Sequence, residues 1–318
     1  MKPDVLVLRP TLAPQMQALA QSYTLHRHDL ADAEGQAALL AGAGQRCQAI
    51  VTDGHTPLTR QMIEQMPALK VVACASAGYE MIDVEALTAQ GVALTNTSDA
   101  LFDDVADTAL MLTMAARRAL VAGHAHVVSG DWGTKGAYPL QSSLRGKKLG
   151  ILGMGRIGRA IIGRAQAVGL ETAYFSRSAK ADVDLPFQPD LLALAHWADI
   201  LVVIVAGGPG TRNLIDAQVL HALGPQGTLI NVSRGSVVDE TALIAALREG
   251  ALGSAGLDVF WNEPNPDPAL TLLPNVTLYP HHASGTVETR AAMAQLVVDN
   301  LAAHFAGRPL LTPVNLPD

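Results

Sequence analysis

Three polar side chains of this 318-residue chain each follow a short apolar run of strand type, and they suit proton transfer and anion binding. They are Arg234, Glu263 and His281. Histidine exchanges protons near neutral pH, and the forked, always-charged guanidinium of arginine suits a carboxylate. Because ligands bind at the carboxyl ends of strands in an open α/β sheet, the three side chains could converge on one site.

Each of these residues also has a purely structural interpretation. Arg234 could form an ion pair with Asp239 or Glu240, which follow it closely in the chain. Glu263 could be a solvated loop residue, and His281 could be a hydrogen-bonded histidine at a strand end. Their occurrence as a set, each after a predicted strand, favours chemistry over structure.

A glycine-rich turn near the middle of the chain predicts a dinucleotide site. The apolar run 149–152 leads into the turn, and apolar residues at helical spacing follow it. In such a turn Gly155 lets the backbone approach a pyrophosphate, Gly158 lets helix and strand pack closely, and helix N–H groups face the phosphates. A purely structural turn is the alternative. The predicted cofactor-binding residues of the turn are Gly153, Met154, Gly155, Arg156, Ile157 and Gly158.

Strands and helices alternate along the chain, which predicts parallel α/β sheets. Strands are predicted at residues 5–8, 49–52, 71–74, 92–95, 149–152, 172–175, 200–205, 228–232, 255–259 and 276–279. Helices are predicted around residues 13–21, 59–66, 83–90, 100–116, 157–168, 216–223, 240–249 and 286–305. Residues 121–145 are rich in glycine, histidine and aromatic residues and are predicted to form an arm or loop.

The mid-chain position of the glycine turn predicts a discontinuous arrangement of domains. The expected fold class is α/β, with two Rossmann-like or flavodoxin-like domains built on parallel sheets. Residues 1–99 and 285–318 are expected to form the substrate-binding domain, and residues 100–284 the NAD(P)-binding Rossmann domain. The active site is expected in the cleft between them.

Composition argues against several classes of protein. With 49% hydrophobic residues the chain can build two cores. A net charge of −7 does not favour nucleic acid, and the apolar runs are too short for a signal peptide or a membrane span. The cysteines, Cys47 and Cys74, indicate buried free thiols, with neither a metal cluster nor a disulfide framework. A soluble, cytoplasmic protein is therefore expected.

Four ordered motifs resemble those of the D-2-hydroxyacid dehydrogenase family, and the resemblance covers most of the chain. They are Gly153–Gly158, Asn231–Gly235 with Val238–Glu240, Gly256–Phe260 with Glu263–Pro264, and Pro280–His281. Within the family the sequence is most similar to the glyoxylate and hydroxypyruvate reductases and the related hydroxyphenylpyruvate reductases. The loop 206–211 departs from the family, which has a proline–leucine–threonine stretch more commonly at that place.

The resemblance implies a role for each of the three polar residues. His281 would be the general acid that protonates the substrate carbonyl as hydride arrives. Glu263 would hydrogen-bond the imidazole and orient it, and Arg234 would hold the substrate carboxylate and polarise the carbonyl. His282 lies one place off the motif and is not expected to be the acid.

The resemblance also implies contacts by backbone groups and small side chains. The N–H groups of Ala77 and Gly78 would receive the substrate carboxylate, unless that stretch is a plain glycine turn. Thr108 and Val232 would contact the cofactor, and Asp258 would contact its carboxamide.

A homodimer is expected because relatives in this family commonly pair through the cofactor domain. In such dimers an aromatic side chain of the arm can approach the partner's active site. Trp132 is the candidate here, and packing within its own chain is the alternative.

The residues after the second strand of the cofactor domain select between NAD and NADP. An NAD-preferring domain places Asp or Glu there, which binds the ribose 2′-hydroxyl and repels a 2′-phosphate. Ser176, Arg177 and Ser178 occupy that stretch here, with Lys180 nearby, and their donors complement a phosphate. NADPH is therefore predicted over NADH. A solvated basic loop, or Arg177 stacked on the adenine, is the alternative.

Together these features predict an NADPH-dependent enzyme that reduces a small 2-keto acid, glyoxylate or hydroxypyruvate, to the D-2-hydroxy acid. An aromatic 2-keto acid of the hydroxyphenylpyruvate type is the alternative substrate. A non-catalytic dinucleotide-sensing protein is the alternative function, because the C-terminal-binding-protein corepressors also resemble these dehydrogenases.

Overall fold

The chain folds into two compact units. The structure is a computed structural model that describes residues 2–316. Unit 1 consists of Met1–Leu101 and Ser284–Asp318, and unit 2 consists of Phe102–Ala283. The chain therefore leaves unit 1 for unit 2 and returns to unit 1 near its end.

The described residues form eleven strands and thirteen α-helices. The strands are β1 (Asp4–Val7), β2 (Thr24–Arg27), β3 (Ala49–Thr52), β4 (Val71–Cys74), β5 (Ala93–Thr95), β6 (Lys148–Leu152), β7 (Glu171–Phe175), β8 (Ile200–Val203), β9 (Thr228–Asn231), β10 (Ser254–Leu257) and β11 (Val276–Leu278). The helices are α1 (Ala13–Ser22), α2 (Ala33–Ala41), α3 (Arg60–Glu64), α4 (Val84–Ala89), α5 (Ser98–Arg117), α6 (Leu120–Val128), α7 (Asp131–Lys135), α8 (Arg156–Ala167), α9 (Leu191–Trp197), α10 (Ala217–Leu223), α11 (Glu240–Glu249), α12 (Pro268–Thr271) and α13 (Val287–Phe305). Short 3₁₀ helices lie at His28–Leu30, Ala43–Gln45, Pro209–Thr211 and Gly235–Val237.

Unit 1 is built on a five-stranded parallel sheet in the order β2-β1-β3-β4-β5. β3 and β4 are buried along their whole length, as expected of central strands covered on both faces. Successive residues of a strand point to opposite faces, and accordingly Ile50 packs in one core while Val51 packs in the other. The second core also contains Val297 and Leu301 of α13, so the returning segment completes unit 1.

Unit 2 is built on a six-stranded parallel sheet in the order β11-β10-β9-β8-β6-β7. The strand order reverses beside β6, because β7 pairs with one of its edges and β8 with the other. In doubly wound sheets, ligands bind outside the carboxyl ends of the strands at such a switch point. The turn that follows β6 leaves the sheet at that position.

Aspartate begins four of the helices of unit 2. Each carboxylate accepts a hydrogen bond from a backbone N–H of the first helical turn, which satisfies donors that have no partner inside the helix. These N-caps are Asp190, Asp216, Asp239 and Asp267. Asp239, one of the two acids considered as a partner of Arg234, accepts from the Ala242 N–H at 3.0 Å and thereby begins α11.

The arm predicted as a loop is partly helical. α6 and α7 occupy most of residues 120–135, so the prediction of a loop is wrong there. Neither helix buries a residue, and Leu120, Val128 and Trp132 are more than half exposed. Without an apolar stripe against a core, the sequence carries no helical periodicity to find. Residues 136–147 have no helix or strand before β6 begins.

The two cysteines are buried free thiols in unit 1. Burial raises the pKa of Cys47 to about 12 and the pKa of Cys74 to about 11, so neither is a thiolate near neutral pH. Within residues 2–316, no three His, Cys, Asp or Glu side chains are grouped in a way that could hold a metal ion. In the same part of the chain, no helix combines the length and apolar character needed to cross a membrane.

Candidate active site

His281 and Glu263 form a hydrogen-bonded pair beyond the strand ends of the unit 2 sheet. His281 Nδ1 lies 2.5 Å from Glu263 Oε2, and Glu263 Oε1 accepts from the Phe260 N–H at 2.8 Å. An ionised carboxylate only accepts hydrogen bonds, so Nδ1 carries a proton and donates it. The other ring nitrogen, Nε2, lies on the opposite side of the ring from Nδ1 and Glu263.

Asp258 holds the turn that carries His281. The backbone of His281 is in the left-handed region, with φ of 49°, which is uncommon for a residue with a side chain. Its N–H donates to the Asp258 carbonyl at 2.7 Å. The Asp258 carboxylate accepts from the N–H groups of His282 at 2.8 Å and Ala283 at 3.1 Å. Burial of Asp258, which is 1% exposed, raises the pKa of its carboxyl group.

Asn231 orders the loop that carries Arg234. Asn231 is fully buried at the end of β9, where its Oδ1 accepts from Ser233 N at 3.1 Å and Ser233 Oγ at 2.9 Å. Its Nδ2 donates to the Arg234 carbonyl at 3.0 Å. Arg234 Nη1 donates to the Ser233 carbonyl at 2.6 Å. No role is predicted for Asn231 from its residue type; the feature of the sequence that points to it is a strand of buried type that ends in asparagine just before the loop of Arg234.

Gly235 brings the loop of Arg234 against the loop of Glu263. A Cβ atom built on Gly235 would lie 2.1 Å from both the carbonyl carbon and the oxygen of Phe260, a distance that no real side chain tolerates. The two loops therefore touch through their main chains. This contact and the His281–Glu263 hydrogen bond place Arg234, Glu263 and His281 on neighbouring loops of unit 2.

Trp261 anchors the loop between Phe260 and Glu263. Its Nε1 donates to the Val238 carbonyl at 2.6 Å, and its backbone N–H donates to Glu240 Oε2 at 3.3 Å. The guanidinium of Arg212 stacks over its ring at 4.6 Å from the centroid, a cation–π contact. Glu240, the second acid considered as a partner of Arg234, thus binds this loop.

The glycine turn after β6 shows a separate steric reason for each glycine. Gly153 has φ of 110°, and a Cβ there would lie 2.6 Å from the Ile204 carbonyl oxygen. A Cβ on Gly158 would lie 2.3 Å from the Gly153 carbonyl oxygen, so α8 packs directly on the turn. A Cβ on Gly155 would have no atom within 4 Å. Gly155 therefore leaves the backbone open to a ligand.

The N-terminus of α8 is suited to a phosphate group. Gly155 is its N-cap, so no side chain caps the helix, which runs for twelve residues from Arg156. The first N–H groups of a helix lack partners inside it, and the helix dipole places partial positive charge there. Together with the open face of Gly155, this arrangement fits the pyrophosphate of a dinucleotide.

Residues 110–283 match the family model described as "D-isomer specific 2-hydroxyacid dehydrogenase, NAD binding domain". This chain belongs to the D-isomer specific 2-hydroxyacid dehydrogenase family. It is 43% identical over 314 residues to 2-ketogluconate reductase of Gluconobacter oxydans, across 98% of this chain and 99% of that protein.

Two solved structures are similar to this dehydrogenase over almost its whole length. The 2-hydroxyacid dehydrogenase from Ketogulonicigenium vulgare Y25 covers 100% of both chains with a TM-score of 0.93 and 44% identity. The NADPH-dependent glyoxylate/hydroxypyruvate reductase from Sinorhizobium meliloti, in complex with NADP and malonate, covers 99% of this chain and 97% of that chain. Its TM-score is 0.88 at 39% identity.

The predicted family and the α/β class with two parallel sheets are confirmed. The prediction of an NAD(P)-dependent 2-hydroxyacid dehydrogenase of the glyoxylate/hydroxypyruvate reductase type is confirmed as well. The chain is therefore an enzyme, which sets aside the alternative of a non-catalytic dinucleotide sensor.

In this dehydrogenase, Ser176 leaves the sheet beside the glycine turn. β7 pairs with β6 with Phe175 opposite Leu152, so both strands end at the same edge. Ser176 Oγ donates to the Ser178 carbonyl at 2.7 Å, while Arg177 and Ser178 are exposed. Positions 176–178 thus present hydroxyl and guanidinium groups without a carboxylate.

Thr108 and Val232, both predicted to contact the cofactor, are buried in unit 2. Thr108 Oγ1 donates to the Ala283 carbonyl at 3.4 Å, which connects α5 to the turn that follows His281. The Val232 N–H donates to the Val203 carbonyl at 3.3 Å and extends the pairing of β9 with β8.

Ala77 and Gly78 lie in unit 1, in the loop that follows β4. The carbonyls of this loop accept hydrogen bonds: Ser76 O from Thr97 N at 3.1 Å, and Ala77 O from Asn96 Nδ2 at 3.0 Å. Among residues 2–316, neither the Ala77 N–H nor the Gly78 N–H donates to a protein acceptor. The carbonyl oxygens of the loop are therefore bound by groups of unit 1, whereas the N–H groups of Ala77 and Gly78 can donate to a ligand.

A cavity of about 280 Å³ lies beside the His281–Glu263 pair. Apart from that pair its lining is apolar or aromatic. The lining residues are Phe260, Pro264, Pro266, Leu278, Tyr279 and Pro280. A ligand group in this cavity would contact hydrocarbon and aromatic surface next to the imidazole.

Proposed function

We propose that this dehydrogenase reduces a small 2-keto acid, glyoxylate or hydroxypyruvate, to the D-2-hydroxy acid with NADPH. The observation that carries the proposal is the 2.5 Å hydrogen bond between His281 and Glu263, with the loop of Glu263 packed against the loop of Arg234. An oriented imidazole and a guanidinium suit a carbonyl that lies beside a carboxylate. The nicotinamide, when bound, supplies the hydride.

His281 supplies the proton in the proposed reaction. Glu263 holds Nδ1–H, so the second proton of the imidazolium sits on Nε2. That proton passes to the carbonyl oxygen as the oxygen gains negative charge, and Nε2 takes it back when the hydroxy acid is oxidised. Glu263 keeps the ring in one orientation throughout.

Arg234 and the unit 1 loop bind the substrate's oxygens in the proposal. The guanidinium of Arg234 pairs with the carboxylate and polarises the carbonyl. The N–H groups of Ala77 and Gly78 donate to the same carboxylate, which is supported by their having no acceptor within residues 2–316. Two adjacent backbone donors can form a concave anion site.

The cofactor is held by both charged and neutral donors. The six residues of the glycine turn, Gly153–Gly158, bind the pyrophosphate. Ser176, Arg177 and Ser178 bind the 2′-phosphate of NADPH. This preference is supported by the exposed guanidinium of Arg177 and by similarity to an NADPH-dependent relative in complex with NADP. Thr108, Val232 and Asp258 complete the cofactor site around the nicotinamide.

The proposed substrate is tested by comparing kcat/KM across 2-keto acids with NADPH. The panel consists of glyoxylate, hydroxypyruvate, 2-ketogluconate and 4-hydroxyphenylpyruvate. We expect the two small acids to give the highest values. A higher value with 2-ketogluconate, the compound named for one relative, would overturn the substrate size but not the chemistry. No NADPH oxidation with any member of the panel would overturn the proposed activity.

The cavity beside His281 favours an aromatic 2-keto acid as the second candidate substrate. Its volume of about 280 Å³ and its apolar lining suit an aryl group better than the hydrogen of glyoxylate. Leu278 lines the cavity, so Leu278→Trp would fill part of it. We expect this substitution to lower kcat/KM for 4-hydroxyphenylpyruvate far more than for glyoxylate if the aryl group enters here.

The proposal includes a homodimer formed through unit 2. α6, α7 and the segment after them expose large apolar side chains, and soluble monomers seldom expose large contiguous apolar patches. These residues are Leu120, Val121, Val127, Val128, Trp132 and Leu140. Sedimentation at micromolar concentration should give twice the mass of the chain. A monomer there, with Trp132→Ala leaving kcat unchanged, would overturn both the dimer and the role of Trp132 at a partner's site.

A further inference from the structure

Asn96 reaches the loop proposed to bind the substrate carboxylate from the neighbouring strand. β4 and β5 are adjacent and parallel, with Ala73 opposite Thr95, so the residues after both strands leave the sheet side by side. Asn96 follows β5 and is 8% exposed. Its Nδ2 donates to the Ala77 carbonyl at 3.0 Å.

Because peptides are planar and trans, a hydrogen bond that fixes a carbonyl also fixes the direction of the N–H group of the same peptide. In a trans peptide the carbonyl of one residue and the N–H of the next point in opposite directions. The Ala77 carbonyl points at Asn96, so the Gly78 N–H points away from it. The Ser76 carbonyl points at the Thr97 N–H, so the Ala77 N–H points away from the same segment. Successive N–H groups on one side of the chain form an anion-binding concavity.

The next carbonyl of the loop is held by a side chain as well. Ser76 Oγ donates to the Gly78 carbonyl at 3.2 Å and accepts from the Gly54 N–H at 2.5 Å. A Cβ on Gly54 would lie 1.9 Å from the Gly78 carbonyl oxygen, so only glycine fits there. The loop is therefore fixed at three consecutive carbonyls before any ligand binds.

We propose that Asn96 is a positioning residue that sets the Ala77–Gly78 peptide, so that the Gly78 N–H faces the substrate carboxylate beside the Ala77 N–H, whose own peptide is held by the Thr97 N–H. The inference rests on the proposed function, in which these two N–H groups bind that carboxylate. Donors that are already oriented need no ordering when the ligand binds, which strengthens the interaction. Asn96 touches neither substrate nor cofactor in this role.

Asn96 has a second contact that a test must separate from the first. Its Nδ2 also donates to Ser98 Oγ at 2.7 Å, and its Oδ1 accepts from the Ser98 N–H at 3.4 Å, at the start of α5. A purely structural Asn96 would act through these contacts with Ser98. Ser98→Ala removes the first contact and leaves the bond to the Ala77 carbonyl, and Asn96→Ser keeps a side-chain oxygen that can accept from the Ser98 N–H, so the two variants together control for a structural role.

The experiment measures substrate and inhibitor affinity in Asn96→Ala, Asn96→Ser and Ser98→Ala, each as the NADPH-loaded enzyme. Oxamate, which carries a carboxylate beside an amide carbonyl, is the inhibitor. We expect both Asn96 variants to raise the KM for hydroxypyruvate and the Ki for oxamate about three- to tenfold, the effect of one hydrogen bond. The KM for NADPH and the values for Ser98→Ala should stay within twofold of the unmutated enzyme.

Hydrogen exchange of residues 75–80 in the unmutated, NADP-loaded enzyme separates this inference from the proposed function. Oxamate should slow exchange at Ala77 and Gly78. If it does and the Asn96 variants keep the oxamate Ki, the positioning role is wrong and the carboxylate contact stands. If oxamate leaves exchange unchanged, the carboxylate contact fails and the inference fails with it. If Ser98→Ala reproduces the effect of Asn96→Ala, Asn96 acts through α5 and the inference is overturned.

Discussion

The carboxyl ends of the two sheets carry their proposed binding groups in different chemical forms. Beyond the unit 2 sheet these groups are the side chains of Arg234, Glu263 and His281. Beyond the unit 1 sheet they are the backbone N–H groups of Ala77 and Gly78. Residue type therefore determines the chemistry of the first set, whereas peptide orientation determines that of the second.

This difference decides where substitutions should act. In unit 2, replacing one side chain removes a reacting or charged group directly. In unit 1, the donors belong to the main chain, and a substitution reaches them only through the groups that orient the peptides. Substitution of the unit 2 side chains is therefore expected to cause large losses of activity. Substitution of residues that only hold a loop is expected to cause smaller losses.

His281→Ala should cause the largest loss in activity. Removal of the proposed general acid is expected to lower kcat by roughly 10²–10⁴-fold, measured with hydroxypyruvate and NADPH. Fluorescence titration should show NADPH binding unchanged, because the glycine turn proposed to bind the cofactor is separate from His281. His282→Ala is the matched control and should retain kcat, since the ring of His282 lies outside the pair with Glu263. Equal losses in both variants would contradict the assignment of the acid.

Arg234→Lys should give the next largest effect. Lysine keeps the positive charge but loses the planar fork that binds a carboxylate with two parallel hydrogen bonds. One hydrogen bond to a charged group is worth roughly 1.5–3 kcal/mol, so kcat/KM for hydroxypyruvate should fall on the order of ten- to a hundredfold. Arg248→Lys, on the exposed end of α11, is the control. An unchanged kcat/KM in Arg234→Lys would assign Arg234 to structure alone.

Arg177→Ala tests an exposed side chain that is proposed to bind the 2′-phosphate of NADPH. Loss of the guanidinium should raise the KM for NADPH about tenfold and change the KM for NADH little, because only NADPH carries the 2′-phosphate. Arg118→Ala, at an exposed position just beyond α5, controls for a general loss of positive charge. A higher kcat/KM with NADH than with NADPH in the unmutated enzyme would refute the preference itself.

Prediction from the sequence is accurate for the buried strands and helices and less accurate for those at the surface. Apolar runs identify the central strands β3, β4, β6, β8 and β9 because both of their faces are buried. The edge strand β2 reads Thr-Leu-His-Arg and is partly exposed, so it has no such run. α6 and α7 were missed for a related reason, since neither buries a residue.

The groups that support the site are harder to predict than the groups that act in it. Arg234, Glu263 and His281 have side chains whose chemistry is evident from their type. Asn231 and Asp258 act by binding backbone groups of loops that lie beside them only after folding. Asn96 is more distant still, because its partner in the Ala77 peptide is 19 residues earlier in the chain. Sequence spacing contains no record of those bonds.

Asp258→Asn is expected to change the pH dependence of stability, the smallest effect of the four substitutions. Burial raises the pKa of Asp258 above its value of about 3.9 in an unfolded chain. The protonated carboxyl therefore stabilises the fold fully below about pH 4, and that contribution is lost as the pH rises through the raised pKa. Asparagine does not ionise, so the variant does not lose stability as the pH rises through that pKa.

The melting temperature of the unmutated protein minus that of Asp258→Asn should accordingly fall between pH 4.5 and pH 8. Each kcal/mol of unfolding free energy corresponds to a change of roughly 2–4 °C in melting temperature for a domain of this size. Asp267→Asn, which alters the N-cap of α12, controls for a general loss of negative charge. A difference that grows with pH would mean that the N–H groups of His282 and Ala283 stabilise the ionised carboxylate by more than its burial costs. Unit 2 would then hold the buried Asp258 carboxylate without loss of stability. The two units would differ in the chemical type of their binding groups, side chains in unit 2 and uncharged N–H groups in unit 1, and not in what those groups cost in stability.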